Sequence, residues 1–167
     1  MSDSRFDRGK EWLESLLVIS GVASTVDVAD QRLEDEGSCW LTIRSDSLTT
    51  EQVDALIGER GSVLDAIQYL ANTTLNLNQT EDDQCAYTVE LNGYREQRRT
   101  ELEALAKEAM EQVRQTGQEY EIASLSAAER RQVHTLLQDF EEFETYSKGR
   151  EPDRKLVVQL KSNHQSV

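Results

Sequence analysis

Two glycines three residues apart, Gly58 and Gly61, constrain the fold of this chain more than any other feature. Before them, Val53, Leu56 and Ile57 recur at helical spacing; after them, Val63, Leu64, Ile67 and Leu70 do the same. A Gly-Glu-Arg-Gly connection therefore joins two short helices through a tight turn, with little side-chain bulk to keep another backbone away. The N–H groups that open the second helix face that approach, and the helix dipole favours negative charge there, such as a phosphodiester brings. Thr49 or Thr50 caps the first helix, with Glu51 in its first turn, and Ser62 begins the second.

The flanks restrict the fold further. Trp12, Leu13, Leu16 and Leu17 mark an amphipathic helix over about residues 7–19, ended by Gly21. Val22 to Arg32 and Ser38 to Ser45 are rich in Val, Thr, Leu, Ile and Trp, and Glu34-Asp-Glu-Gly37 between them makes a β-hairpin. Asp82-Asp83 marks a turn, and Tyr87, Val89 and Leu91 alternate as a strand. The order is α-β-β-α-loop-α-β, and Asn92-Gly93 signals a boundary. Beyond it a helix over about residues 94–115 carries Leu102, Leu105, Ala106, Ala109 and Val113, and Gly117 stops it. Tyr120 and Ile122 suit a short strand. Ser126 and Glu129 form a capping box for a helix that buries Val133, Leu136 and Leu137. Phe143 and Tyr146, then Leu156 to Leu160, read as strands around a Lys148-Gly-Arg-Glu-Pro152 turn. The reading is an α+β chain of two small mixed domains, residues 5–92 and 93–161, with a polar, disordered tail at 162–167.

Composition suits two small cores: 37% of residues are hydrophobic and 30% charged. No apolar run is long enough to span a bilayer, and the N-terminus lacks a signal-peptide core, so no membrane insertion is expected. Cys39 and Cys85 lack metal-ligand or redox spacing and read as small buried hydrophobes in a reducing cytoplasm. The net charge of −14 opposes polyanions at long range, yet residues 93–167 hold 12 of the 18 basic residues. Any attraction for nucleic acid therefore belongs mainly to the second half.

Arg130 and His134 lie four apart and share one helix face. The guanidinium can fork two hydrogen bonds to a phosphate, and the imidazole can donate one or stack on a base. The plain alternative is that Arg130 pairs with Glu129 or another acid while His134 is an ordinary helix residue. Arg95, Arg98 and Arg99 cluster on the long helix, where Glu96 and Glu103 can neutralise such a face. Arg95 alone is kept as a candidate contact.

Leu56-Ile-Gly-Glu-Arg-Gly-Ser-Val-Leu-Asp-Ala-Ile-Gln-Tyr-Leu70, set between a hairpin and a strand, resembles a KH domain of the bacterial type II order. The resemblance implies that Gly58, Glu59, Arg60 and Gly61 clamp single-stranded nucleic acid over a floor of Ile57, Val63, Leu64 and Ile67. It also marks a departure: the first loop position, commonly Lys or Arg in such domains, is Glu59, whose carboxylate opposes a phosphate. Arg130-x-x-x-His134, Thr145-Tyr-Ser-Lys-Gly-Arg-Glu-Pro-Asp-Arg-Lys-Leu-Val-Val158 and Tyr94-Arg-Glu-Gln-Arg-Arg99 resemble the domain named for its Arg-x-x-x-His motif. This second resemblance puts Arg130 and His134 on the nucleic acid or its supporting shell, with Arg154 close by and Ser147, Lys148 and Arg150 along the same surface. The two in succession resemble the bacterial Jag family, also called KhpB or SpoIIIJ-associated proteins.

The resemblance implies a cytoplasmic, non-enzymatic protein that binds single-stranded RNA, or single-stranded DNA, and acts in post-transcriptional control. A small KH protein is the partner it suggests. The extra N-terminal domain of many relatives has no room here, so contacts made through it are not expected. No cofactor or metal is expected: the GxxG loop lacks the Lys-Ser/Thr of nucleotide-binding loops, and the paired acids Asp82-Asp83 and Glu141-Glu142 are adjacent rather than convergent. The competing reading is a protein-interaction scaffold of the same fold with weakened RNA binding, suggested by the acidic first half and Glu59.

Overall fold

The computed structural model describes residues 4–29 and 37–162. The expected hairpin connection around Glu34 to Glu36, the tail after Ser162 and His164 lie outside them. The chain divides into two compact units, residues 1–95 and 96–167. It is a mixed α+β fold with two three-stranded sheets among the described residues.

In the first unit, helix α1 (Ser4–Ile19) buries Phe6, Gly9, Leu13 and Leu17, one residue per turn along one stripe. Gly9 sits where α1 meets the sheet; a Cβ there would lie 2.7 Å from the Tyr87 ring. Strand β1 (Val26–Ala29) pairs antiparallel with β2 (Ser38–Ile43), with Val26 opposite Ile43 and Ala29 opposite Trp40. The first strand thus begins at Val26, four residues after the start its composition predicts. Cys39, Leu41 and Ile43 point inward by strand alternation. Strand β3 (Ala86–Leu91) lies parallel to β2 and buries Tyr87, Val89 and Leu91. Cys39 and Cys85 are both buried.

Helix α2 (Thr50–Ile57) starts at a capping box in which Thr49 and Gln52 satisfy each other's backbone N–H groups. Helix α3 (Ser62–Asn76) buries Leu64, Ile67, Ala71 and Leu75. Leu70, expected in the core, is 47% exposed, and Val63 is 38% exposed. The buried stripe continues through the small Ala71 instead, because α3 turns a second, polar face to the sheet edge. There Asn76 both donates to and accepts from the Cys85 backbone, at 2.8 and 2.9 Å, and Asn72 does the same with Tyr87 at 2.8 and 2.9 Å. Gln68 accepts from Val89 N–H at 3.0 Å, and Arg95 Nε donates to the Val89 carbonyl at 2.7 Å. These side chains occupy the hydrogen-bonding edge of β3 that a further strand would otherwise fill.

In the second unit, helix α4 (Tyr94–Thr116), which begins in the last residues of the first, buries Leu102, Ala106, Ala109, Met110 and Val113. Strand β4 (Tyr120–Ile122) leads to helix α5 (Ala127–Gln138), and β5 (Phe143–Lys148) and β6 (Lys155–Leu160) complete an antiparallel sheet of order β4-β6-β5. The Ser126–Glu129 capping box forms as the sequence predicts. Val133 and Leu137 are buried with Leu156 and Val158, whereas Leu136 is half-buried.

Candidate nucleic-acid interface

The Gly58–Gly61 loop is a left-handed turn built by packing. Gly58 has φ +73, and a Cβ on it would lie 2.5 Å from Val63 Cγ2. Arg60 adopts φ 52 and ψ 34, a conformation disfavoured for any residue with a Cβ. Gly61, at φ +77, is buried beneath Tyr94, whose ring atoms would lie 2.6–2.8 Å from an added Cβ. The second glycine is therefore demanded by the first turn of α4, a partner that the loop motif alone does not announce. Glu59 and Arg60 are solvent-exposed and pair with each other at 3.7 Å. No side chain caps the start of α3. Ile57 is half-buried and Leu64 and Ile67 are buried beneath the loop, while Val63 reaches solvent.

Arg95, a sequence candidate, is placed elsewhere. Its guanidinium pairs with Asp65 at 2.9 Å and donates to the Val89 carbonyl, and its side chain is only 20% exposed. It ties α3 to β3 inside the first unit rather than offering a fork to solvent.

In the second unit, α5 and β5 frame a cleft of about 370 Å³ lined by Ala127, Arg130, Arg131, His134, Thr145, Tyr146, Ser147, Arg154 and Leu156. Residues 127, 130, 131 and 134 fall on one helical stripe, and Thr145 and Ser147 alternate onto the helix-facing side of β5. Arg130, His134, Ser147 and Arg154 of the sequence candidates thus meet here. Their environments differ sharply. Arg130 is 6% exposed; its Nη1 donates to the carbonyls of Leu125 at 2.8 Å and Arg154 at 3.3 Å, and its Nη2 pairs with Glu151. His134 is half-buried, with Nδ1 against the Thr145 hydroxyl and Nε2 3.0 Å from Gln138 Nε2. Arg154 is exposed and, among the described residues, its side chain donates only a long 3.4 Å bond to the Gly149 carbonyl.

Lys148 sits on the opposite side of β5, where it pairs with Glu121 at 3.3 Å and Glu119 at 3.7 Å. Those carboxylates hold its ammonium pKa above the usual lysine range, and Lys155 and Lys148 together pull Glu121 down. Lys148 therefore belongs to an ion-pair row on the outer face of the sheet. Tyr146 borders the cleft but donates its hydroxyl to Glu119 at 2.9 Å, which raises the phenol pKa. Arg150 is exposed in the β5–β6 turn. Arg98 pairs with Glu129 at 2.6 Å and Glu101 at 2.8 Å, and Arg99 with Glu103 at 3.4 Å, as expected of a neutralised helix face.

Sequence reasoning missed Arg131 and Thr145. Arg131 is exposed, lines the cleft and enters no ion pair among the described residues. Its signal is its place one residue after Arg130, four after Ala127, at the edge of the motif stripe. Thr145 fixes the His134 ring from 11 residues away. With Arg130 neutralised by Glu151, the cationic groups at the cleft are Arg131 and Arg154. The site is a small concavity with two exposed guanidinium groups, an imidazole and hydroxyls, in a chain otherwise strongly acidic.

A family model described as the R-3-H domain, the domain of the Arg-x-x-x-His motif, matches residues 100–160, which contain this cleft. Among curated proteins, the chain is 31% identical to an RNA-binding protein KhpB of Clostridium symbiosum, over 93% of this chain and 66% of that protein. It is 32% identical to one of Bacillus subtilis over 68% of this chain and 55% of that protein. A third, from Lactiplantibacillus plantarum, is 28% identical over 90% of this chain and 44% of its own length. The chain spans less than two thirds of each.

Proposed function

We propose that this chain, which belongs to the bacterial Jag/KhpB family, binds single-stranded RNA without transforming it and serves as a cytoplasmic post-transcriptional regulator. The observation that carries this reading is the α5–β5 cleft, where Arg131 and Arg154 stand exposed beside His134 and Ser147. Exposed guanidinium groups are suited to phosphate, and imidazole and hydroxyl groups to sugar or base edges. The names of the relatives support the RNA ligand. Among the described residues no helix is long and apolar enough to cross a membrane. We take residues 5–92 as a KH-like domain and 93–161 as the Arg-x-x-x-His domain. In this reading the Gly58–Gly61 loop guides the strand and the cleft holds it, with Arg150 at the rim.

Fluorescence anisotropy with a labelled, mixed-sequence single-stranded RNA tests the proposal. Binding weakens as salt rises, and Arg131→Gln and Arg154→Gln each reduce affinity by about three- to tenfold, as loss of one charge-assisted phosphate contact does. Absence of any salt-dependent binding at micromolar protein and low salt would overturn it. The loop supplies an independent check. Glu59→Lys replaces a carboxylate 85% exposed beside Arg60 with a cation and is expected to raise affinity by about threefold or more. Unchanged affinity would remove the loop from the RNA path.

A further inference from the structure

We infer that Arg130, the first residue of the Arg-x-x-x-His motif, is a positioning residue that does not touch the nucleic acid, and that Arg131 makes the phosphate contact on α5. The inference rests on the RNA-binding reading above and deepens it. Arg130 is 6% exposed, and three of its five N–H groups have acceptors within its own unit. Nη1 bonds to two backbone carbonyls, those of Leu125 and Arg154, and Nη2 to the Glu151 carboxylate. Bidentate recognition of a phosphate needs an accessible edge with two parallel N–H groups; the terminal edge of this guanidinium already carries these three acceptors, and burial to 6% exposure keeps the Nε side from solvent.

The acceptors lie in different parts of the unit. Leu125 precedes the N-cap Ser126 of α5, whereas Glu151 and Arg154 belong to the β5–β6 turn. Arg130 therefore fastens the turn to the helix, and the turn carries the exposed Arg154. Buried in this way, Arg130 meets no phosphate and displaces no counterion from the nucleic acid, whatever the charge at position 151. Arg131 has the opposite character: it is exposed, lines the same cleft and enters no ion pair among the described residues. A truncation at Arg130 would weaken binding through the displaced turn, which a single affinity measurement mistakes for a lost contact.

The discriminating variant is Glu151→Gln, assayed beside Arg131→Gln and the unaltered full chain. The probe is a fluorescein-labelled mixed-sequence RNA of about 12 nucleotides, titrated at several salt concentrations. A buried Arg130 predicts that Glu151→Gln leaves affinity within about twofold and the salt slope unchanged, because the amide oxygen still accepts the Nη2 hydrogen bond and Glu151 itself is a rim charge screened at physiological salt. Arg131→Gln makes the slope of log K against log salt shallower by about 0.7, one single-strand phosphate, without lowering the melting temperature. The inference is overturned if Glu151→Gln strengthens binding fivefold or more and steepens the slope by about 0.7, the signature of a guanidinium released onto phosphate. It is equally overturned if Arg131→Gln changes neither affinity nor slope. If the unaltered chain shows no salt-dependent binding, the RNA reading itself falls and this inference with it; if the unaltered chain binds and either of the other results appears, only the inference falls.

Discussion

Gly61→Ala is expected to destabilise the chain by about 3 kcal/mol. Two costs combine. The left-handed backbone, φ +77, penalises any Cβ by roughly 1–2 kcal/mol. The Cβ would also lie 2.6–2.8 Å from Tyr94 ring atoms, and forcing a methyl into a filled site costs roughly 1–3 kcal/mol. Gly93→Ala separates the two, since Gly93 has φ +69 but nothing within 4 Å of its position, so only the backbone cost applies. Urea unfolding followed by tryptophan fluorescence reads the difference, because both tryptophans, Trp12 and Trp40, lie in the first unit. Equal losses for the two variants would mean that the Tyr94 ring moves aside freely and that packing does not select the glycine.

The second large effect belongs to Glu129, a buried carboxylate in the second unit, 7% exposed. One oxygen accepts from Ser126 N–H at 2.9 Å, completing the cap of α5, and the other accepts from Arg98 Nε on α4 at 2.6 Å. Glu129→Ala removes a cap contribution of roughly 1 kcal/mol and breaks a largely buried ion pair, a change that costs roughly 3–5 kcal/mol when the stranded charge has nowhere to go. Arg98 keeps Glu101 at 2.8 Å, which softens the second cost, so the expected total is about 3 kcal/mol. In amide hydrogen exchange this appears as a loss of protection of about a hundredfold across residues 127–138. Glu129→Gln retains the capping geometry and should lose about half as much. If the glutamine variant is as damaged as the alanine one, the charge on Glu129 and not its capping bond sustains α5.

Much of the architecture was legible because its signals are local. Ser126 and Glu129 are three residues apart, and the alternation of Tyr87, Val89 and Leu91 spans five, so helix starts and strands can be read from neighbours in the chain. The site was legible only in part because its decisive contacts are distant. Arg130 and Glu151 stand 21 residues apart, so no pattern around Arg130 announces that it is buried and paired. Arg95 looked like one member of a basic cluster, and Asp65, 30 residues earlier, claims it. Leu70 has core spacing, yet the same helix must also present Gln68, Asn72 and Asn76 to β3, and a single helix cannot turn every apolar residue inward while doing so. Arg131 carries no motif of its own; only the fold distinguishes it from any other surface arginine.

The amide side chains along β3 also govern how the first unit can assemble. A β-sheet with two open edges can add copies indefinitely at both, which is the route to fibres. Here one edge is sealed by a surrogate strand made of side chains, and on the other, Glu14 already holds the Val26 N–H at 2.9 Å. Among the described residues, the open part of that edge runs from Asp27 to Ala29 on β1. A sheet that can extend from one side only cannot propagate by adding strands at both, and the β3 side of this one is closed to that route.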